Sequence, residues 1–142
     1  MANVHDVAAY ILEKNGRMSA MKLQKLVYYS QAWSLVWDDA PIFRESIEAW
    51  VNGPVIPALY YKHRGKFDLD SWTLGDASAL TASEKETIDS VLDYYGMKAP
   101  SWLSELTHNE EPWKRARKGL APLERGNNEI TLDSMAEYYS SI

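Results

Sequence analysis

Residues 22–37, "KLQKLVYYSQAWSLVW", decide the fold. Leu23, Leu26, Val27, Trp33 and Trp37 recur at helical spacing and form a core stripe. The adjacent Tyr28 and Tyr29 point about 100° apart on such a helix, so one can face the core and its neighbour the surface. Ser19 is placed to cap the segment, Asp38-Asp39 ends the stripe, and Pro41 forbids continuation. A helix this apolar is expected to be buried over much of its circumference, with the other elements packed around it. Its apolar run carries Ser and Gln and falls short of the roughly 20 residues a bilayer needs.

Working outward, Val4, Val7, Ala8, Ile11 and Leu12 predict a helix over Val4 to Asn15, with Gly16 at its C-terminal cap. Residues 42–52, "IFRESIEAWVN", alternate weakly and hold no cap, which reads as one short extended or hairpin element. "GPVIP" (53–57) is a rigid elbow, and Pro57 suits the first position of a short helix through Arg64. Residues 65–78 read as a polar loop. Thr81 and Glu84 form a capping box for a helix carrying Ile88, Val91, Leu92 and Tyr95, which Gly96 stops. Short helices should follow Pro100 and Pro112, the second closed by Gly119, and Thr131 caps a last one. The expectation is a mainly α, single compact multi-helix domain over residues 1–142.

Composition narrows the function. The chain has 142 residues, 46% of them hydrophobic, with six Trp and nine Tyr, enough for one packed core. Its net charge of −5 argues against direct nucleic-acid binding and against anionic membrane surfaces. Cysteine is absent, so disulfides, thiol nucleophiles and Cys-held zinc are excluded, which fits a reducing cytoplasm. The N-terminus lacks a basic region and interrupts its apolar stretch with charges, unlike a signal peptide. No cofactor is expected, since phosphate-binding loops, dinucleotide fingerprints and catalytic elbows are missing.

One stretch does look like chemistry. "LTHNEEPW" (106–113) sets His108 beside Glu110 and Glu111, and a small metal-dependent hydrolase built on those three residues is one reading. A metal site needs at least three convergent ligands, and no second His lies at i+3 or i+4. His5 and His63 are distant in sequence and in ordinary polar contexts. A structural corner accounts for more of the residues. Glu110 and Glu111 precede a proline-led helix whose N-terminal dipole favours negative charge. Thr107 and His108 close the helix before, and Trp113 then inserts into the core. "KRARK" (114–118) reads as a solvated helix face, and Gln24 as a buried hydrogen-bonder.

Three blocks taken together, "MKLQKLVYYSQAW" (21–33), "IEAWVNGPVIPALY" (47–60) and "LTHNEEPW" (106–113), resemble the Panacea domain. That family includes SocA-like antitoxins and phage-associated GepA-like proteins. The closing "ITLDSMAEYY" is similar to the family's last helix, so the resemblance covers nearly the whole chain. It implies a helical, non-enzymatic antitoxin that silences a toxin encoded beside it by direct protein–protein binding. It implies further that a SocA-like member delivers its toxin to a AAA+ protease as an adaptor. The matching positions include Gln24, Lys25, Glu48, Trp50, Gly53, Pro54, Thr107, His108, Pro112 and Trp113, which physically read as scaffold. Partner contacts are expected elsewhere, on outward residues of the Tyr28-Tyr29 helix and of the Tyr60-Tyr61 segment. No added DNA-binding domain is expected within this length. The other non-enzymatic reading is a phage or plasmid accessory protein that binds a host factor.

Overall fold

The computed structural model describes all 142 residues, with 54% of them in helix and 9% in strand. Helix α1 (Val4–Asn15) is opened by a capping box in which Asn3 and Asp6 satisfy each other's backbone amides, and Gly16 closes it at φ 81°. After the two-residue strand β1 (Met18–Ser19), the Ser19 hydroxyl accepts from the Lys22 amide and starts α2 (Ala20–Trp37). These boundaries agree with the sequence reading.

Helix α2 is the centre of the molecule. It packs on α1, α4 (Ala82–Tyr95), α5 (Pro100–His108) and α7 (Leu132–Tyr139) and on strand β3 (Gly53–Val55). Surrounded in this way, it buries every residue from Leu23 to Ala32, polar ones included. Burying a leucine such as Leu26 contributes on the order of 1.5–3 kcal/mol. The apolar stripe does not extend to Trp37, which is 52% exposed and rests on Trp33. One core of 32 residues runs from Ala2 to Tyr139.

The extended element is a real hairpin, and it starts later than residue 42. Strands β2 (Ile47–Trp50) and β3 pair antiparallel across the Val51-Asn52 turn, with Trp50 opposite Gly53 and Glu48 opposite Val55. Pro54 has no amide hydrogen to give, and it sits on an edge strand, since the sheet order is β3-β2-β5. The third strand, β5 (Glu129–Ile130), lies directly before the Thr131 cap, where the sequence reading placed no strand. Along β2, Ile47 and Ala49 face the core while Glu48 and Trp50 face outward.

Pro57 opens α3 (Pro57–His63) as its sequence suggests. The loop over 65–78 is less polar in space than in sequence. Strand β4 (Asp68–Leu69) pairs with β1 and brings Leu69 into the core, and Trp72 follows it. The Thr81–Glu84 capping box forms, and α6 (Glu111–Ala116) is a short turn of helix.

Candidate functional site

The hairpin, the first turns of α2, α3 and the 125–127 loop enclose a cleft of about 840 Å³. Its position follows from two local devices. The elbow after β3 swings α3 over the outward face of β2, so Tyr60 meets Trp50 edge to face with ring centres 4.8 Å apart. Gln24 on α2 locks that elbow: its Oε1 accepts from the Ile56 amide at 2.8 Å, and its Nε2 donates to the Ile56 carbonyl at 3.3 Å.

With Oε1 thus assigned, Gln24 Nε2 is the group that faces His63 Nε2, 3.0 Å away. An amide nitrogen only donates, so His63 Nε2 accepts and the ring is neutral. Burial also holds the His63 pKa below its ordinary value. His63 is therefore buried against a motif residue, which corrects the reading of its surroundings as an ordinary polar context.

Lys25 is the unusual group here. Its side chain is 1% exposed, and its Nζ makes one hydrogen bond, to the Pro54 carbonyl at 3.3 Å. None of the four ion pairs in the chain includes it. Loss of hydration pulls its pKa down to about 8, so the ammonium is still charged at neutral pH. Glu48 also lines the cleft, with its Oε1 taken by the Trp50 indole N–H at 2.9 Å.

Seven residues of the first two sequence motifs meet in this region. Gln24, Lys25, Glu48, Trp50 and Tyr60 line the cleft, and Gly53 with Pro54 backs onto Lys25. The exposed Tyr61 lies on the rim, as expected for an outward residue. Tyr28 and Tyr29, by contrast, are both buried and present no outward face. Tyr29 stacks on Tyr95 at 4.1 Å, and Tyr28 meets the Tyr139 hydroxyl at 3.0 Å. Both tyrosines are covered, about 100° apart though they are, because α2 is enclosed on every side at that level.

"LTHNEEPW" is a corner, and its three polar groups diverge. Glu110 turns inward and accepts from the Tyr29 and Tyr139 hydroxyls at 2.8 and 2.7 Å, with burial raising its pKa. Glu111 is exposed and pairs with Lys114. His108 stacks on Trp113 with ring centres 4.1 Å apart, and its buried Nε2 has no hydrogen-bond partner. No three His, Asp or Glu side chains gather as a metal cage anywhere in the chain. Trp113 is half-buried: it packs against the edge of the core, stacks on His108 and donates to the Trp50 carbonyl at 2.8 Å. Pro112 and Thr107 are buried, the Thr107 hydroxyl bonding the Ser104 carbonyl.

The basic run also needs correction. Arg117 is buried and donates to the carbonyls of Ala49, Ala121 and Glu124, tying α6 to the hairpin and to the loop that supplies Arg125. Only its neighbours Lys114, Arg115 and Lys118 form a solvated face.

Sequence reasoning missed Asn52, Arg64, Arg125 and Asn127 as lining residues. A signal existed for His63, three residues after Tyr60 and so on the same helical face. The loop positions have no period that could have revealed them.

A family model for the SocA-like antitoxin, Panacea domain, matches residues 23–114. That span takes in both cleft-lining motifs and the corner. Comparison with curated proteins and with solved structures gives no match.

Proposed function

We propose, for a chain that belongs to the SocA-like antitoxin family with its Panacea domain, that it neutralises a cognate toxin protein by binding it directly. The observation that carries this reading is the family match over 92 of 142 residues, and the convergence of the matched motifs on one open cleft supports it. Inhibition then comes from covering the toxin's working surface. A standard interface of roughly 1,200–2,000 Å² is enough to do this for a small protein.

The reading uses Tyr60 and Tyr61, rather than Tyr28 and Tyr29, as aromatic anchors, since interface hot spots favour exposed Tyr and Trp set beside pockets. It places the protein in the cytoplasm with its toxin. No helix of the chain is long and apolar enough to cross a membrane. The metal-hydrolase alternative loses its geometric basis once His108, Glu110 and Glu111 point apart. No feature of the fold favours a protease-adaptor role, or a host factor as partner, over occupation of a toxin.

Co-expression tests the proposal. The reading frame encoded beside this chain should stop growth when expressed alone. This chain should restore growth and co-purify with that product in a stoichiometric complex. The double substitution His108→Ala, Glu111→Ala should still rescue wherever the protein folds. Rescue without a complex, abolished by that folded double variant, would replace the binding model with an enzymatic one.

A further inference from the structure

The cleft contains a buried cation with nothing to balance it. Lys25 lies at its inner wall with two of its three N–H groups unused. A buried charge is ordinarily paired, because taking an ammonium out of water without a counter-ion is unfavourable. The one carboxylate lining the cleft, Glu48, is held by the Trp50 indole and forms no ion pair with Lys25.

Lys25 is one of the residues lining the cleft, and its surroundings leave the buried ammonium without a second partner. Gly53 carries no side chain where a Cβ would lie 3.3 Å from Lys25 Nζ. The Gln24 amide keeps His63 neutral, so no second buried cation forms beside it. Arg64 and Arg125, both exposed, add two guanidinium groups to the lining, giving three cations against one carboxylate in a chain whose net charge is −5. This is a local reversal of the protein's overall sign.

We propose that the cleft seats a carboxylate of the partner toxin, an Asp or Glu side chain or the chain's C-terminal group, on Lys25 Nζ. Arg64 and Arg125 flank it, and the adjoining partner side chains rest on Trp50 and Tyr61. The proposal rests on the antitoxin reading for the identity of the partner. A carboxylate suits the site better than a phosphate. The lining offers one buried ammonium, with the carboxylate of Glu48 in the same wall to oppose a dianion. The volume exceeds that of a lone ion and falls in the range of sites that hold a ligand of many atoms, such as a short peptide segment. Charge-assisted hydrogen bonds from ammonium and guanidinium groups then orient the segment, and the aromatic walls add contact area.

Two measurements on the intact chain test this. In the first, the capped peptide acetyl-Gly-Glu-Gly-amide, its Gln counterpart and inorganic phosphate are titrated while the Trp50 indole N–H and the Asn127 side-chain amide are followed by NMR. The Glu peptide should give saturable shifts that the Gln peptide does not, and Lys25→Met should abolish them without lowering Tm. Equal responses to both peptides, no response to either, or saturation by phosphate alone would overturn the carboxylate seat. In the second, Lys25→Met should weaken the complex with the neighbouring gene product at least tenfold. A response to the Glu peptide with unchanged toxin affinity would overturn the seat as a toxin contact while leaving the antitoxin reading in place. Failure of the wild-type chain to bind that product would count against the antitoxin reading, and the peptide titration would still decide the cleft.

Discussion

Gly53 and Lys25 fit together with no room to spare: a Cβ at position 53 would lie 2.6 Å from Lys25 Cε and 2.9 Å from Thr107 Oγ1. Gly53 also holds φ at 122°, a conformation that side chains rarely adopt. Gly53 is the first residue after the Val51-Asn52 turn, and there the β3 backbone packs directly against the buried lysine. Gly53→Ala should therefore destabilise the fold by roughly 2–4 kcal/mol through strain and displaced packing. Urea unfolding checks it, and a loss under about 0.5 kcal/mol would mean that the hairpin has slack at this point.

Lys25 gives a pH signature. Its pKa falls from 10.5 unfolded to about 8 in the fold, so between those values the unfolded chain binds more protons. Stability from this residue then rises with pH across that window, and the burial penalty is in full force below pH 8. Lys25→Met keeps the aliphatic stem and removes the charge. It should be more stable than wild type at pH 7 by at most about 3 kcal/mol, with the difference shrinking as pH approaches 10. Denaturant titrations at pH 7, 8.5 and 10 measure this, and a constant difference would show that the fold does not lower the lysine's pKa.

The Tyr29, Tyr139 and Glu110 cluster should tolerate loss of charge but not loss of its acceptor. Glu110→Gln leaves a carbonyl oxygen for both hydroxyls and removes a buried carboxylate, so stability at pH 7 should hold or rise. Glu110→Ala leaves buried hydroxyls without this acceptor and opens a cavity, at a loss of roughly 2–4 kcal/mol. Because burial raises the Glu110 pKa, the wild type should also gain stability from this residue as pH falls through its folded value toward its unfolded one. Glu110→Gln should lack that gain.

Much of the architecture was legible because it is written in local chemistry. Ser19, Thr81 and Thr131 cap helices through their own hydroxyls, and Gly16 and Pro57 act through backbone geometry. What escaped depends on distant partners. Strand β5 exists because Ile130 pairs with Ile47 across 83 positions, and Trp72 is buried because β4 anchors its loop to β1. The tyrosines of α2 were misplaced for a related reason. Helical periodicity fixes their angular separation, yet only the surrounding helices decide how many faces are covered. Among the site residues, Gln24 as a buried hydrogen-bonder could be read from its apolar neighbours. That Lys25 would lie beside it, buried and unpaired under Gly53, could not, since nothing local distinguishes it from the exposed lysines of other helices.

The claim that this protein works by presenting its cleft to a toxin is tested most directly by the affinity of two variants for the neighbouring gene product. One carries Tyr61→Ala and Arg64→Ala on the cleft rim. The other carries Trp37→Ala and Tyr94→Ala, exposed aromatics outside the cleft lining. Both should fold, because all four side chains are exposed. Isothermal titration should show the rim variant binding at least tenfold more weakly, with growth rescue lost, while the Trp37/Tyr94 variant binds as wild type does. Wild-type affinity in the rim variant, together with loss of binding in the other, would contradict the account and move the toxin-binding surface to the outer ends of α2 and α4.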